Sequence, residues 1–362
     1  MKIAIFHELD FGGARRTVDE FARKLSKIFD VDLYYIDYKE ESFKKNYKNV
    51  FYYPFHPKSW KGKNWKIKLY KDTIELFKIY KLHKKIARNI KLRKYDYIFV
   101  HPSKFTQAPF ILRFLKGKCI YYCQEPLRIV YDPYLSNVSH IRLPKNIYEF
   151  LNRKIRKWID LENFKNASIV LANSNYSKEF IEKSYGKKAE VCYLGVDTNL
   201  FRPLNLDKSI DVLFIGNIDK GYNLLNNSLE LFKTKPNVHT IFRKNGQFNI
   251  SEKELVRIYN KSKLLVALNQ NEPFGLIPLE TMACGTPVVA VGEGGYKETV
   301  IDKRTGFLIS RDVSELYEKI NKIISDDKLR NDMAKAARAH VLNNWTWDKT
   351  IERFLEIIKY EK

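Results

Sequence analysis

Short apolar runs alternate along this chain with longer amphipathic stretches, and that alternation restricts the fold more than any other feature. Residues 2–6 read as a strand; Gly12 and Gly13 follow, and residues 17–29 read as a helix with Val18, Phe21, Ala22, Leu25 and Ile28 on one face. Residues 31–36, 97–100, 118–122 and 168–172 are further buried strands. The series restarts near Asp211, with strands at 212–215, 240–242, 264–267, 287–290 and 306–309 and helices between them, for example at 251–260. Strand–helix alternation of this kind predicts an α/β fold whose parallel sheets are covered by helices on both faces.

With 362 residues, two domains are expected. The break falls at Phe201-Arg202-Pro203-Leu204, where proline interrupts the pattern. The reading is therefore a first domain over 1–203, a second over 204–345, and a C-terminal helix over 346–362 that closes the second domain or reaches back to the first. Hydrophobic residues make up 44% of the chain, enough for a core in each half. The four cysteines, Cys119, Cys123, Cys192 and Cys284, are scattered and read as buried thiols of a reducing cytosol. No apolar run is long enough to span a bilayer, and the first residues lack the features of a secretion signal, so a cytoplasmic location is expected.

The formal net charge of +23 is uneven: residues 1–205 hold 41 Lys/Arg against 21 Asp/Glu, and the remainder 24 against 21. Such a first half suits an anionic partner. Residues 58–94 hold 14 Lys/Arg against Asp72 and Glu75 alone, with aromatic residues between them, and Trp65, Leu69, Leu76 and Tyr80 fall near helical spacing. This stretch reads as an interfacial segment for an anionic membrane surface at the inner face, or as a solvated helix whose apolar side packs on the sheet. A basic nucleic-acid-binding protein would also explain the charge, but no helix-turn-helix or zinc pattern appears and nucleic acid is not expected as a partner.

The most informative segment is Asn271-Glu272-Pro273-Phe274-Gly275-Leu276-Ile277-Pro278-Leu279-Glu280. It follows a strand and opens a helix. Pro273 and Gly275 suit a tight turn, and Pro278 falls early in the helix, where a missing N–H costs little. The N–H groups near Phe274, Gly275 and Leu276 form a ready diphosphate site. Were most of the stretch helical, Glu272 and Glu280 would stand roughly 10–12 Å apart along the axis. That is too far for an acid/base pair on one atom and suits the two ends of a long ligand.

The segment resembles the Glu-x7-Glu signature of the family-4 retaining glycosyltransferases. Gly12-Gly13-Ala14-Arg15 resembles their first glycine loop. Asn173-Ser174-Asn175-Tyr176-Ser177 and Leu194-Gly195-Val196-Asp197 resemble the end of their first domain and the linker, and Gly294-Gly295 with Glu298 resembles the run after the signature. The resemblance implies a GT-B fold, two Rossmann-like domains facing across a cleft, with an acceptor-binding first domain and a nucleotide-sugar-binding second. It implies that Glu272 holds the donor sugar, that Phe274, Gly275 and Leu276 offer backbone donors, that Glu280 binds the ribose and that Lys220 binds the diphosphate. Gly13, Asn217 and Arg243 complete the donor side, with Lys244 a second candidate cation. Gly12, His101, Gln124 and Arg128 lie on the acceptor side. In two places the chain departs from the family: Asn217 stands where a cation is usual, and Gln124 where His is frequent, with His101 as a possible stand-in.

The resemblance further implies transfer with retention, and no metal or cofactor, the nucleotide-sugar being a substrate. Mannose from GDP-mannose is favoured over a UDP-sugar, and the acceptor is a glycan or a lipid-linked saccharide, as in polysaccharide biosynthesis. A catalytically impaired scaffold of the same fold is the alternative.

Overall fold

The computed structural model describes residues 1–10, 12–37, 46–58, 65–115, 117, 119–137, 143, 145–216, 221–242 and 250–360. They form two compact units, one of Met1–Asn173 and Lys178–Val191 and the other of Ser174–Ser177 and Cys192–Lys362.

The first unit runs β1 (Lys2–Glu8), α1 (Gly13–Leu25), β2 (Asp30–Asp37), β3 (Asn49–Pro54), α2 (Trp65–Tyr70), α3 (Leu76–Leu92), β4 (Tyr97–Ser103), β5 (Cys119–Tyr122), α4 (Arg128–Tyr131), α5 (Pro133–Ser136), α6 (Lys145–Phe164), β6 (Ile169–Ala172), α7 (Asn175–Tyr185), whose residues up to Ser177 group with the second unit, and β7 (Glu190–Val191). Among the described residues its strands lie in the order β3-β2-β1-β4-β5-β6-β7, and all pairs are parallel. Such a sheet is buried on both faces, which is why Ile3, Ala4, Ile5 and Phe6 are all inaccessible to solvent. The order changes direction at β1, between β2 and β4. In open α/β sheets ligands bind beyond the strand ends at that point.

The second unit runs β8 (Ile210–Gly216), α8 (Asn223–Leu229), β9 (Val238–Phe242), α9 (Glu252–Lys261), β10 (Ser262–Ala267), α10 (Leu276–Ala283), β11 (Val288–Val291), α11 (Tyr296–Thr299), β12 (Gly306–Ile309), α12 (Val313–Ser325), α13 (Asp327–Asn344) and α14 (Trp347–Tyr360). Its described strands lie in the order β12-β11-β10-β8-β9, again parallel. The direction changes between β10 and β8. Side-chain caps start α9, α12 and α13: Ser251 accepts from Glu254 N at 3.2 Å, Asp312 from Glu315 N at 2.8 Å and Asp326 from Leu329 N at 2.9 Å. Each such cap contributes about 1 kcal/mol.

The chain enters the second unit at Cys192, ahead of the break expected at 203. The reason is the packing of the intervening residues on the C-terminal segment. Val196 N donates to Trp345 O at 2.8 Å, and a Cβ at Gly195 would lie 2.3 Å from Trp347 N. Helix α14 groups with this unit, with Ile351, Phe354 and Ile358 buried. In the first unit, α1 ends at Leu25, so Ile28, expected on its buried face, is 51% exposed in the turn that follows. Strands β3 and β7 are additions to the expected series.

In the basic stretch at 58–94, Leu69, Ile74 and Phe77 are 40–56% exposed, and helix α3 has one buried face. Leu76, Ile79, Ile86, Ala87 and Ile90 are buried, and Tyr80 packs edge-on against Phe110 and Phe114. The apolar side of this helix therefore belongs to the core.

Candidate active site

Strand β10 ends at Ala267, and the chain turns through residues 268–275 into α10. Gly275 makes the turn possible. It caps α10 with φ 102° and ψ 49°, and a Cβ there would also lie 2.9 Å from the ring of Tyr296. Pro278 is the third residue of α10, where no intrahelical N–H bond is lost. The N–H groups of Leu276 and Ile277 head the helix and have no acceptor within it. Glu272 is half-buried, and Asn269 Nδ2 donates to its Oε2 at 3.1 Å. Glu280 is 2% exposed and accepts from Tyr259 Oη at 3.1 Å. The stretch between the two carboxylates is mostly turn. Only its last four steps are helical, about 6 Å of rise at 1.5 Å per residue, so the mostly helical stretch on which the expected spacing rested is not what forms.

Two further segments close on this turn. Gly295 N donates to Glu272 O at 2.8 Å. A Cβ at Gly294 would lie 2.4 Å from Glu272 O, and one at Gly295 2.5 Å from Phe274 Cα, so both glycines let backbone lie directly on backbone. On the other side Ser174 Oγ donates to Pro273 O at 2.5 Å and Ser177 Oγ to the same oxygen at 3.4 Å. Glu298 then joins the two segments. Its carboxylate accepts from Asn175 N at 2.9 Å, Tyr176 N at 3.0 Å and Tyr193 Oη at 2.8 Å. Burial and this carboxylate push the Tyr193 hydroxyl well above its usual range. Phe274, 3% exposed, packs against the rings of Tyr193 and Trp345. Sequence segments separated by about a hundred residues thus form one hydrogen-bonded frame around Glu272–Gly275.

On the first unit, β1 shifts register against β4 between Phe6 and Glu8, a bulge next to the glycine loop. Gly12 and Gly13 open α1, and a Cβ at either would meet nothing within 4 Å. Packing therefore does not require glycine there, and the loop borders open space. His7 is fully buried, and its Nδ1 accepts from Leu9 N at 3.3 Å. Burial first, then Arg15, His101 and Lys104, hold its pKa well below the usual value, so the ring is neutral with its proton on Nε2. Glu8 is fixed from behind. His83 Nδ1 accepts from Ile111 N at 3.0 Å, so His83 Nε2 carries the proton and donates to Glu8 Oε2 at 3.2 Å.

His101 is sealed among Phe21, Phe99 and Tyr122, with both ring nitrogens unpartnered, and burial lowers its pKa to about 3. An aromatic enclosure of this kind removes it as a stand-in base. Arg128 is held in an ion pair with Asp132 at 3.1 Å, and Gln124 is half-buried in the turn before α4. Asn217, Lys220, Arg243 and Lys244 lie outside the described residues. Sequence reading passed over Asn269, Tyr259 and Tyr193, which hold the carboxylates and the frame. The Asn three places before Glu272 was the available signal for the first; nothing local marks the other two.

Two parallel α/β units, with a helix N-terminus and a half-buried glutamate at the switch point of the second, are the architecture of the GT-B glycosyltransferases. The chain belongs to Glycosyltransferase Family 4, whose model matches residues 11–200, and the model of Glycosyl transferases group 1 matches residues 200–340. Similar solved structures include sucrose-phosphate synthase from Thermosynechococcus elongatus, at 16% identity and TM-score 0.71, covering 99% of this chain and 98% of that one. They also include Anabaena HepE in complex with UDP-glucose, at 20% identity and TM-score 0.67, covering 99% and 100%. Among curated relatives, the D-inositol 3-phosphate glycosyltransferase of Salinispora arenicola is 36% identical over 105 residues, 29% of this chain and 23% of the relative. An uncharacterized glycosyltransferase of Methanocaldococcus jannaschii is 28% identical over 212 residues, 56% of each chain. The chain thus spans about a quarter of the length of the first of these and about half of the second.

Proposed function

We propose that the protein is a retaining glycosyltransferase that moves a hexose, mannose by preference, from a nucleotide-sugar to a lipid-linked or polysaccharide acceptor. The observation that carries this reading is the frame around Glu272. A half-buried carboxylate, oriented by Asn269, stands one turn before a helix N-terminus whose first N–H groups have no intrahelical partner. An anionic diphosphate suits that N-terminus, and a sugar hydroxyl suits the carboxylate. The neighbour bound to UDP-glucose supports a nucleotide-sugar donor of one base or another.

In this reading Glu272 orients the donor sugar, the N–H groups of Phe274, Gly275 and Leu276 meet the sugar and phosphates, and Glu280 takes the ribose. Lys220 offsets charge on the departing nucleotide. The acceptor oxygen bonds to the anomeric carbon on the face that the diphosphate leaves, and a phosphate oxygen takes the acceptor's proton. Retention follows, and neither a metal nor a protein nucleophile enters the scheme.

The test is a thermal-shift panel of GDP, UDP and ADP, followed by incubation with GDP-mannose and UDP-glucose and assignment of the product anomer. One nucleotide at 100 times its dissociation constant should add about 2.7 kcal/mol of stability. If no nucleotide stabilises the protein and no nucleotide-sugar is consumed, the reading fails. An inverted product would overturn the mechanism alone.

A further inference from the structure

His340 stands between two arms of the frame around Glu272. It lies near the C-terminal end of α13, half-buried, and its Nε2 faces two groups with opposite requirements. Trp345 Nε1 donates to Nε2 at 2.8 Å, which needs a lone pair there. Thr299 O lies 3.2 Å from the same nitrogen and can bond only to an N–H. One ring nitrogen cannot satisfy both. Asn344 meets Nδ1 at 3.2 Å with an amide that can rotate to present oxygen or nitrogen, so it does not fix the proton.

Each arm leads to the Glu272–Gly275 turn. Trp345, 7% exposed, packs edge-on against Phe274 at 5.6 Å and Tyr193 at 5.0 Å between ring centres. Thr299 ends α11, and its Oγ1 donates to Gly295 O at 3.2 Å, beside the glycines that lie on Glu272 and Phe274. A neutral His340 with its proton on Nδ1 secures Trp345. A protonated His340 carries a hydrogen on Nε2 as well, which turns to Thr299 O and sets donor against donor at the indole. Burial lowers its pKa from the ordinary 6.5; Thr299 O opposes this, and Arg304, from the segment after α11, adds to it. The ring is therefore neutral at pH 7 and takes up its second proton below 6.5. Tyr193 and Glu298, bonded to each other at 2.8 Å, are further titratable groups on this frame.

We propose that His340 is a pH-sensitive positioning residue for the donor side: neutral, it holds Trp345 against Phe274 and Tyr193, and protonated, it releases the indole and bonds Thr299 O instead. Acid thereby loosens the packing behind Phe274 and weakens the hold on the nucleotide-sugar. The donor's place at this turn rests on the proposed function; the exchange at His340 does not.

Proton–nitrogen NMR of the full chain, labelled at its indole nitrogens, reads the exchange directly. The sequence has five tryptophans, and Trp345→Phe identifies the Trp345 signal. That signal should move between pH 7.5 and pH 5 and stay in place in His340→Gln, whose amide oxygen keeps an acceptor for the indole and does not titrate. Calorimetry over the same range measures the dissociation constants of UDP-glucose and GDP-mannose, in which no phosphate titrates near pH 6. Whichever binds should bind about three- to tenfold more weakly at pH 5.5 than at pH 7.5, within the tenfold per pH unit that one proton allows. His340→Gln should bind equally well at both values, and Glu298→Gln should keep the wild-type dependence. An indole signal that stays still in the wild type, or moves equally in His340→Gln, overturns the proposal. So does an affinity that is independent of pH, that falls as much in His340→Gln, or that loses its pH dependence in Glu298→Gln. If neither probe binds at any pH the donor reading fails, and the indole signal still decides whether His340 switches.

Discussion

Asn269 holds Glu272: the Asn269 amide, 9% exposed in the turn after β10, donates from Nδ2 to Glu272 Oε2 at 3.1 Å. Losing a hydrogen bond to a charged group costs about 1.5–3 kcal/mol, roughly 10- to 100-fold in rate if the bond orients the reacting sugar. Asn269→Ala should therefore lower kcat by that factor with little change in KM, and Glu272→Ala should abolish transfer without lowering Tm. Steady-state kinetics of both variants decide this, and wild-type turnover by Glu272→Ala would remove the carboxylate from the site.

Two glycines separate strain from function. Gly294 has φ +55°, and a Cβ there would lie 2.4 Å from Glu272 O, so Gly294→Ala should cost about 1–3 kcal/mol of stability and displace the glutamate. Gly12, with open space around its Cβ position, should accept Ala with an unchanged Tm. A fall in transfer rate for Gly12→Ala would then report close approach of a ligand to the loop. Calorimetry with activity assays on both variants distinguishes the cases.

Glu298 caps α7 from 123 residues away, taking two backbone N–H groups and the Tyr193 hydroxyl. Glu298→Ala leaves those donors without their acceptor and should cost about 2–3 kcal/mol. Glu298→Gln, which keeps an acceptor oxygen but not the charge at the helix N-terminus, should cost less than half of that. Urea unfolding of the two variants checks the ranking, and equal losses would show that the charge rather than the geometry matters.

Asp160 carries a pH dependence. Burial raises its pKa to about 7, against the lowering effect of hydrogen bonds from Tyr185 Oη and Ala108 N. Folded protein therefore binds a proton that the unfolded chain, with a carboxyl near 3.8, has released, so this group's contribution to stability falls as pH rises from about 4 to about 7. Asp160→Asn should be relatively more stable at pH 8 than at pH 5 when compared with wild type. Denaturation curves at the two values test the sign, and an unchanged difference would place the carboxylate in a more polar setting.

The parallel sheets were legible because strands buried on both faces must be apolar throughout, as 3–6, 212–215 and 264–267 are. Edge strand β3, half-exposed and mixed in composition, gave no such run. The Glu272–Gly275 turn was legible because proline and glycine restrict the backbone locally. The part Tyr193 plays was not, since it reaches Glu298 and Phe274 only through tertiary packing. In the basic stretch at 58–94, amphipathic periodicity marks a face but does not say whether core or solvent meets it: Leu76, Ile79 and Ile86 meet the core, and Leu69, Ile74 and Phe77 meet solvent.

The cap on α7 also sets an order of events during synthesis. Asn175 leaves the ribosome 123 residues ahead of Glu298, an interval of about 6–25 s at 5–20 residues per second. Through that interval Ser174 Oγ, which accepts from Ser177 N at 2.9 Å, is the local cap, and Asn175 N and Tyr176 N lack the carboxylate to which they later donate. The start of α7 is thus completed in two steps, one by its own sequence and one by sequence translated after β11.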